Sequence, residues 1–564
     1  MAENPFDFII VGGGTSGCAL ASRLAETPSR PFVLLIESGT SNSSPSLRTP
    51  DSRWTTCLTE PDLNWNEVSN PQPQLHNRVL PCFRGKGLGG SSAINFSNWI
   101  VGSREDFDDL AERIGDDAWR WHGERGMKER LRRVEKLHLS KGLEVGEQSE
   151  GRILDRDSLG KHSTKGKVDM SFGDPAVPGW AAMLFDAARE AEVKINGEIN
   201  SGDPTGWGLC PSTYHRGSRV TAATAYLSSP PTNLTILTST SVSRTLFSLD
   251  SGMKRAIGVQ TSKGQEFRAS KEVILSAGAI DSPKLLLLSG IGPRDQLEDL
   301  GIEVVSEIPG VGKNLKDHPM ATVTLLMKGN SSSSGTVEKE KDPASDVGTP
   351  MPSAYLSPPA ILASQEFSNL PKETQQHLRK VPLVEHGAND LPMTVPPDSV
   401  PSGAKIITIF TALQNTQSSG SVTLASSNPA EPPNIDLRIL EHEFDRRVAI
   451  EGMRSLLDFI KTPALSENVE KMLEGPESER DEDILEHWRE TAIPFFHFGG
   501  TCRMERDDGN KRAVVDDEFK VMGVECLRVV DLSVVPVLGC GHTSAMAYLI
   551  GELASEKITR GHGL

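Results

Sequence analysis

Phe6-Asp-Phe-Ile-Ile-Val11 is a short apolar run that stops at Gly12-Gly-Gly14-Thr-Ser-Gly17, and the stretch from Thr15 to Glu26 then carries apolar residues at helical spacing. That order reads as a buried strand, a tight glycine turn and a helix. Phe32-Val-Leu-Leu-Ile36 is a second apolar run, and it ends in Glu37. The elements form a βαβ unit, which places the chain in the α/β class with a parallel, doubly wound (Rossmann-type) sheet. Gly12, Gly14 and Gly17 permit a tight turn and close approach of backbone to a pyrophosphate, which the free N–H groups of the helix start attract. Glu37 stands 25 residues after Gly12, where it can accept a hydrogen bond from a ribose 2′-hydroxyl. An acid at that position disfavours a 2′-phosphate, so the residues alone leave FAD or NAD and exclude NADP.

The rest of the chain organises around this start. Residues 40–80 are polar and rich in Ser, Pro and Asn, an extended excursion. Residues 104–137 read as helical. Leu234-Thr-Ile-Leu237, Val242 to Phe247, Ala256 to Thr261 and Glu272-Val-Ile-Leu275 read as strands that cover and extend the nucleotide sheet. Residues 317–519 read as a second domain, broken by a flexible insertion near 329–350 that is poor in apolar residues. Within it, proline-rich stretches flank a helical segment, Gln365 to Arg379. From Cys526 the chain becomes regular again, with a strand at Leu527-Arg-Val-Val530 and a helix from Ser544 to Ile558 expected to return to the nucleotide domain.

Charge and cysteine usage exclude several function classes. With 76 acidic against 59 basic residues the net charge is −17, which repels a phosphate backbone and excludes nucleic acid as a partner. The basic stretch Lys128–Lys136 reads as one solvated helix face. Seven scattered cysteines with no CxxC pair argue against a disulfide framework and against a zinc site, so no metal is expected. The first strand starts too early for a signal peptide, and no apolar run reaches membrane-spanning length. The expectation is a cytoplasmic protein with no membrane partner.

A second glycine-rich segment, Gly85-Lys-Gly-Leu-Gly-Gly-Ser-Ser-Ala-Ile-Asn95, is extended by Trp99, Gly102 and Asp108. It resembles the first signature of the glucose–methanol–choline (GMC) family of FAD oxidoreductases. Gly278-Ala-Ile-Asp-Ser-Pro-Lys-Leu-Leu-Leu-Leu-Ser-Gly-Ile-Gly292 resembles the family's second signature, with Ser282-Pro283 as a plausible helix start. Gly310-Val-Gly-Lys-Asn-Leu-Lys-Asp-His318 is similar to a further landmark at the crossing between domains. The resemblance runs from residue 6 to about 558. It implies the GMC fold: an FAD-binding domain at 1–316 and 520–564, with excursions near 40–80 and 160–215, and an α+β substrate-binding domain at 317–519 built from an antiparallel sheet plus helices.

His497, in Phe495-Phe-His-Phe-Gly-Gly-Thr-Cys-Arg-Met504, and His542, in Gly541-His-Thr-Ser-Ala545, each sit in a turn rich in Gly, Ser or Thr. Spacing alone leaves open whether either is catalytic. The resemblance implies that His497 is the general base and that His542 binds and aligns the same hydroxyl. It also implies cofactor contacts at Thr15, Ser16, Gly90, Ser91, Asn95, Asn98, Val242, Asp531 and Thr543. Ile94 stands where some members with covalent flavin carry a histidine, so the FAD is expected to be non-covalent. Phe96, Phe495, Phe496 and Phe498 could build an apolar substrate pocket or belong to ordinary core.

The function implied is oxidation of the alcohol group of a small organic molecule, such as a secondary-metabolite intermediate, with oxygen or another electron acceptor. The alternative is a lyase or cyclase of the same fold that keeps FAD and uses the two histidines for non-redox acid–base chemistry. Departures from the family pattern at Val101, Leu110 and Glu505 leave the substrate open. The oligomeric state is open as well.

Overall fold

The computed structural model describes residues 6–48, 56–139, 153–172, 179–248, 254–329, 350–396, 399–506 and 512–564. The insertion expected near 329–350 therefore falls almost wholly outside the described residues.

Five strands run parallel in the order Leu234–Leu237, Val33–Ile36, Phe6–Val11, Glu266–Leu275 and Leu527–Val529. Parallel strands are covered on both faces, which is why these segments are nearly continuous apolar runs. The strand Glu266–Leu275 shows the change of environment within one element. Its first half alternates exposed and half-buried residues and pairs antiparallel with Arg255–Thr261, whereas Val273 to Leu275 are buried between Phe6–Val11 and Leu527–Val529. Val242–Ser248 completes the antiparallel flank.

The helix Thr15–Ala25 lies against the C-terminal helix Thr543–His562, where the Ser16 hydroxyl donates to the Ala547 carbonyl at 2.7 Å. The terminal helix thus returns to the nucleotide sheet, as its sequence suggested. Two glycines let the helix Thr15–Ala25 sit this closely among its neighbours, Gly17 against the turn that precedes it and Gly551 against its first residues. A Cβ on Gly17 would stand 2.0 Å from the Gly12 carbonyl oxygen, and one on Gly551 would stand 2.8 Å from that of Ser16.

A second sheet has six antiparallel strands in the order Val469–Glu474, Met320–Met327, Ile406–Leu413, Val384–Asn389, Met351–Leu356 and Gly206–Cys210. Its central strands are buried along their whole length, and Ile406–Leu413 and Val384–Asn389 pack against the long helix Glu443–Ile460. The edge strand Gly206–Cys210 comes from the excursion near 160–215, so this sheet draws on both halves of the chain. The architecture is the expected one, a Rossmann-type sheet with a separate antiparallel sheet.

Local expectations fail where a proline, a glycine or a distant partner intervenes. The segment 104–137 is two helices, Arg104–Ile114 and Met127–Val134, followed by the strand Glu135–His138; Gly115, at φ +84°, ends the first helix. The helical segment at 365–379 splits into Gln365–Ser368 and Lys372–Leu378 around Pro371, which has no N–H to continue a helix. The helix expected to start at Pro283 begins at Gly278 and keeps Pro283 inside it. Pro283 leaves the Ala279 carbonyl without its helical donor, and the Thr501 hydroxyl donates to that oxygen at 2.6 Å. Lys128–Lys136 is not a uniformly solvated face: Arg130 is buried and donates to the Ala118 carbonyl at 2.7 Å and to Glu556 at 2.8 Å.

The tight contact at Gly17 predicts that Gly17→Ala will lower stability by about 1–3 kcal/mol through overpacking against backbone. Gly561→Ala, where nothing lies within 4 Å of the added Cβ, should be neutral or slightly stabilising. Urea midpoints of the two variants against wild type check this.

Candidate active site

One cavity of about 680 Å³ joins the glycine motifs to the histidine pair, within the range of small-molecule and cofactor sites. Gly12, Gly14, Thr15, Ser16, Glu37, Gly90, Ser91, Asn95, Asn98, Val242, Asp531 and Thr543 all line it, as do His497, His542, Phe96, Phe495, Phe496 and Phe498. Of the candidate site residues, Gly17 alone lies off the wall, and its place is the close contact with the Gly12 carbonyl described above.

The cavity is built to take a dinucleotide. The helix Thr15–Ala25 begins at Gly14 with no side-chain cap, so its first N–H groups and its positive dipole end are left for an anion. A Cβ on Gly14 would have one neighbour, the Ser276 carbonyl oxygen at 3.9 Å, so backbone can be approached there. Gly278, at φ +84° and with open space where a Cβ would stand, offers a second bare stretch of wall. The helix Thr543–His562 also starts at the cavity without a side-chain cap. Asn98 donates through Nδ2 to Met351 Sδ at 3.2 Å, while its buried Oδ1 has no hydrogen-bond partner. These groups suit the pyrophosphate and polar edges of FAD.

Glu37 and Asp531 do more than face this space. The Glu37 carboxylate accepts from the N–H groups of Gly13 at 2.8 Å, Gly39 at 2.8 Å and Gly87 at 2.9 Å. A carboxylate has about four acceptor sites, so roughly one remains for a ribose hydroxyl. Asp531 accepts from Gly278 N–H at 2.9 Å, the Ser282 hydroxyl at 2.5 Å and Ser533 N–H at 2.8 Å. Burial pushes its carboxyl up, and these donors pull it back.

His497 and His542 meet at the other end, with ring centroids 5.2 Å apart. Phe495 packs on both, at 4.6 Å from His497 and 5.3 Å from His542. Burial holds His497 well below the ordinary imidazole value, and positive charge on His542 or His318 would push it lower still. His497 is therefore neutral at physiological pH.

Each histidine is placed by backbone geometry that local sequence does not show. Gly541, at φ +103°, passes so close to Gly102 that a Cβ would stand 2.9 Å from the Gly102 Cα, and this crossing sets His542 at the cavity. Phe496 adopts φ +61°, an uncommon conformation for a bulky side chain. The Asp317 carboxylate holds that turn by accepting from Phe495 N–H at 3.0 Å and His497 N–H at 2.7 Å. Burial pushes the Asp317 carboxyl up to about 7, against the pull of these donors.

Four supporting residues, Asp317 among them, were not identified from the sequence. Glu385, fully buried on the strand Val384–Asn389, accepts from His542 Nε2 at 3.0 Å and from Gln414 Nε2 at 3.3 Å. Gln414 in turn accepts from Gly541 N–H at 3.2 Å. His318 places its Nδ1 at 3.0 Å from Nδ1 of His497. Asp317 and His318 end a recognised landmark, so a signal existed for them. For Glu385 the cue was an acid inside the apolar run Val381-Pro-Leu-Val-Glu385.

Asp317→Ala removes the acceptor of two buried N–H groups, at about 1–3 kcal/mol for each donor left unpaired. The expected outcome is a lower urea midpoint, with alcohol-driven flavin reduction slowed further than the stability loss explains, because His497 is released from its turn.

Comparison with known proteins agrees with this architecture. Models of the GMC oxidoreductase family match the chain over residues 6–320 and 416–551. The chain is 30% identical to the dehydrogenase pkfF of Emericella nidulans, over 99% of its own length and 94% of that protein. It is 31% identical to versicolorin B synthase of Aspergillus parasiticus, over 99% of its length and 88% of that protein. The crystal structure of a formate oxidase superposes with a TM-score of 0.85 at 26% identity and covers 100% of both chains. Among the described residues no helix is long and apolar enough to cross a membrane. The chain belongs to the GMC oxidoreductase family, and it is an FAD-dependent alcohol oxidoreductase.

Proposed function

We propose that this enzyme oxidises the alcohol group of a small, largely apolar or aromatic molecule, with His497 as general base and His542 aligning the hydroxyl. The observation that carries the reading is the histidine pair itself. Two imidazoles 5.2 Å apart between ring centroids share one cavity, and one of them is held neutral by burial. A single hydroxyl oxygen can reach both rings at hydrogen-bond distance. His497 accepts the hydroxyl proton, and His542, steadied by Glu385, fixes the oxygen so that the carbinol C–H faces the cofactor. FAD, when bound, would supply the hydride acceptor, with oxygen or another acceptor as the final electron sink. Phe83, Phe96, Phe495 and Phe496 line the same space and favour an aromatic or apolar alcohol, such as an intermediate of secondary metabolism, over a sugar. Residues 317–519, which supply five of the six strands of the second sheet and its helices, form the substrate side in this reading, with the edge strand Gly206–Cys210 added from the first half of the chain. Thr15, Ser16, Gly90, Ser91, Asn95, Asn98, Val242, Asp531 and Thr543 hold the cofactor.

His497→Ala should retain FAD and slow substrate-driven flavin reduction by about 10²- to 10⁴-fold, the size of a lost acid–base group. Reduction at wild-type speed would remove His497 from the role. A base must be unprotonated to act, and His497 lies below the ordinary value of 6.5. Its reduction rate should therefore be flat above about pH 6.5 and fall as pH drops through a lower value. A limb centred above neutrality would contradict the burial argument.

Ile94 lines the cavity and offers no heteroatom for a bond to the flavin, so the FAD is held non-covalently. Acid precipitation should leave the yellow colour in the supernatant; colour in the pellet would refute this.

A second reading draws support from the similarity to a synthase. The same two histidines would then catalyse a non-redox ring closure or elimination. Anaerobic mixing with a panel of aromatic, aliphatic and sugar alcohols separates the two. Bleaching of the flavin supports oxidation, and turnover without bleaching supports the synthase reading.

A further inference from the structure

His318 is fully buried and does not line the cavity, yet it touches the proposed base directly. Its Nδ1 lies 3.0 Å from Nδ1 of His497, with the rings nearly perpendicular at 85°. The residue before it, Asp317, binds the backbone N–H of His497 at 2.7 Å. Two consecutive residues therefore grip His497, one at its backbone and one at its ring.

Both rings are neutral, since burial pushes His318 down to about 3 and His497 well below its ordinary value. A neutral imidazole carries one N–H and one lone pair. Between two facing Nδ1 atoms, one must donate and the other accept. The choice decides what the second nitrogen of His497 can do. If His318 donates, His497 carries its proton on Nε2 and cannot take another there. If His318 accepts, His497 carries Nδ1–H and leaves its Nε2 lone pair for the substrate hydroxyl.

The role proposed for His497 makes that choice. His318 takes up its Nδ1, so Nε2 is the ring nitrogen left for a substrate hydroxyl, and a base needs its lone pair there. His497 therefore carries Nδ1–H and His318 Nδ1 is the acceptor, which puts the His318 proton on Nε2, a buried atom with no hydrogen-bond partner of its own. Asp106 favours positive charge on His318 and His542 opposes it. Neither carries the Nδ1 contact.

We propose that His318 is a positioning residue that fixes His497 as its Nδ1–H tautomer, so that Nε2 is the atom that accepts the substrate proton. The inference rests on His497 being the base.

The test uses FAD-loaded, full-length enzyme and two readouts. In protein labelled with [¹⁵N]histidine, the His497 signals, identified by their loss in His497→Ala, should show a protonated Nδ1 and a lone-pair Nε2. His318→Leu removes the acceptor and should give mixed tautomers. With benzyl alcohol as the probe, or the fastest bleaching alcohol of the panel, this variant should reduce its flavin about 10- to 100-fold more slowly, part of the full acid–base effect. His318→Asn places an amide oxygen near the lost Nδ1 and should restore most of the rate. His318→Asp supplies an anionic acceptor, so the acid limb of the reduction rate should move to higher pH, because a carboxylate beside His497 favours the imidazolium.

A lone-pair Nδ1 on His497 in wild type would overturn the proposal. So would wild-type rates in His318→Leu, or an Asn variant as slow as Leu with its FAD retained. If the Leu variant does not fold, the wild-type spectrum and the Asp limb decide; an unmoved limb counts against it. His497→Ala is run in parallel. Its retention of wild-type rates would defeat the base assignment, whereas normal rates confined to the His318 variants would defeat the tautomer inference alone.

Discussion

Three backbone N–H groups from three separate segments meet on one buried carboxylate, that of Glu37. Gly13 belongs to the first glycine turn, Gly39 follows the second strand, and Gly87 lies in the second glycine-rich segment. Hydrogen bonds to a charged acceptor contribute about 1.5–3 kcal/mol each, and a buried carboxylate without them would be costly. Glu37 therefore fastens the second motif over the first. The Gly89 N–H reinforces the joint by donating to the Gly13 carbonyl at 2.8 Å. The two glycine-rich walls of the cavity start from this junction.

The histidine end repeats the device with Asp317, whose carboxylate holds the left-handed turn at Phe496. A residue held in that region costs on the order of 1–3 kcal/mol and persists where surrounding bonds over-determine it. Here two backbone donors and the edge of His318 do so. On the opposite wall, Gly102 and Gly541 cross at a distance that no side chain would tolerate. The result is two imidazoles in fixed relation, one on a strained loop and one at a helix start. Fixed geometry of this kind is what lets a positioned base act on a bound hydroxyl.

Much of this was legible in residue order. The strand, the glycines and Glu37 could be read from periodicity and turn chemistry, because each acts on its neighbours in the chain. Pro371 and Gly115 punctuate helices for the same local reason, and both breaks are written in the residues themselves. Pro283 could not be placed this way. It is tolerated inside a helix because Thr501, from the far end of the chain, satisfies the carbonyl that the proline abandons. Glu385 and Gln414 were equally hidden, since their role exists only once an antiparallel strand passes behind the C-terminal helix.

The sequence by itself determined the α/β start and the class of cofactor and pointed to the two histidines, because glycine turns, apolar periodicity and the family's motifs are written in consecutive residues. Tertiary structure alone decided what Glu37 binds, which strand closes the second sheet, and how His497 and His542 are oriented. Those depend on hydrogen bonds between groups far apart in the chain, such as Gly87 to Glu37, His497 to Asp317 and His542 to Glu385. Burial decides their chemistry, since withdrawal from water is what holds His497 neutral and makes each unpaired donor costly.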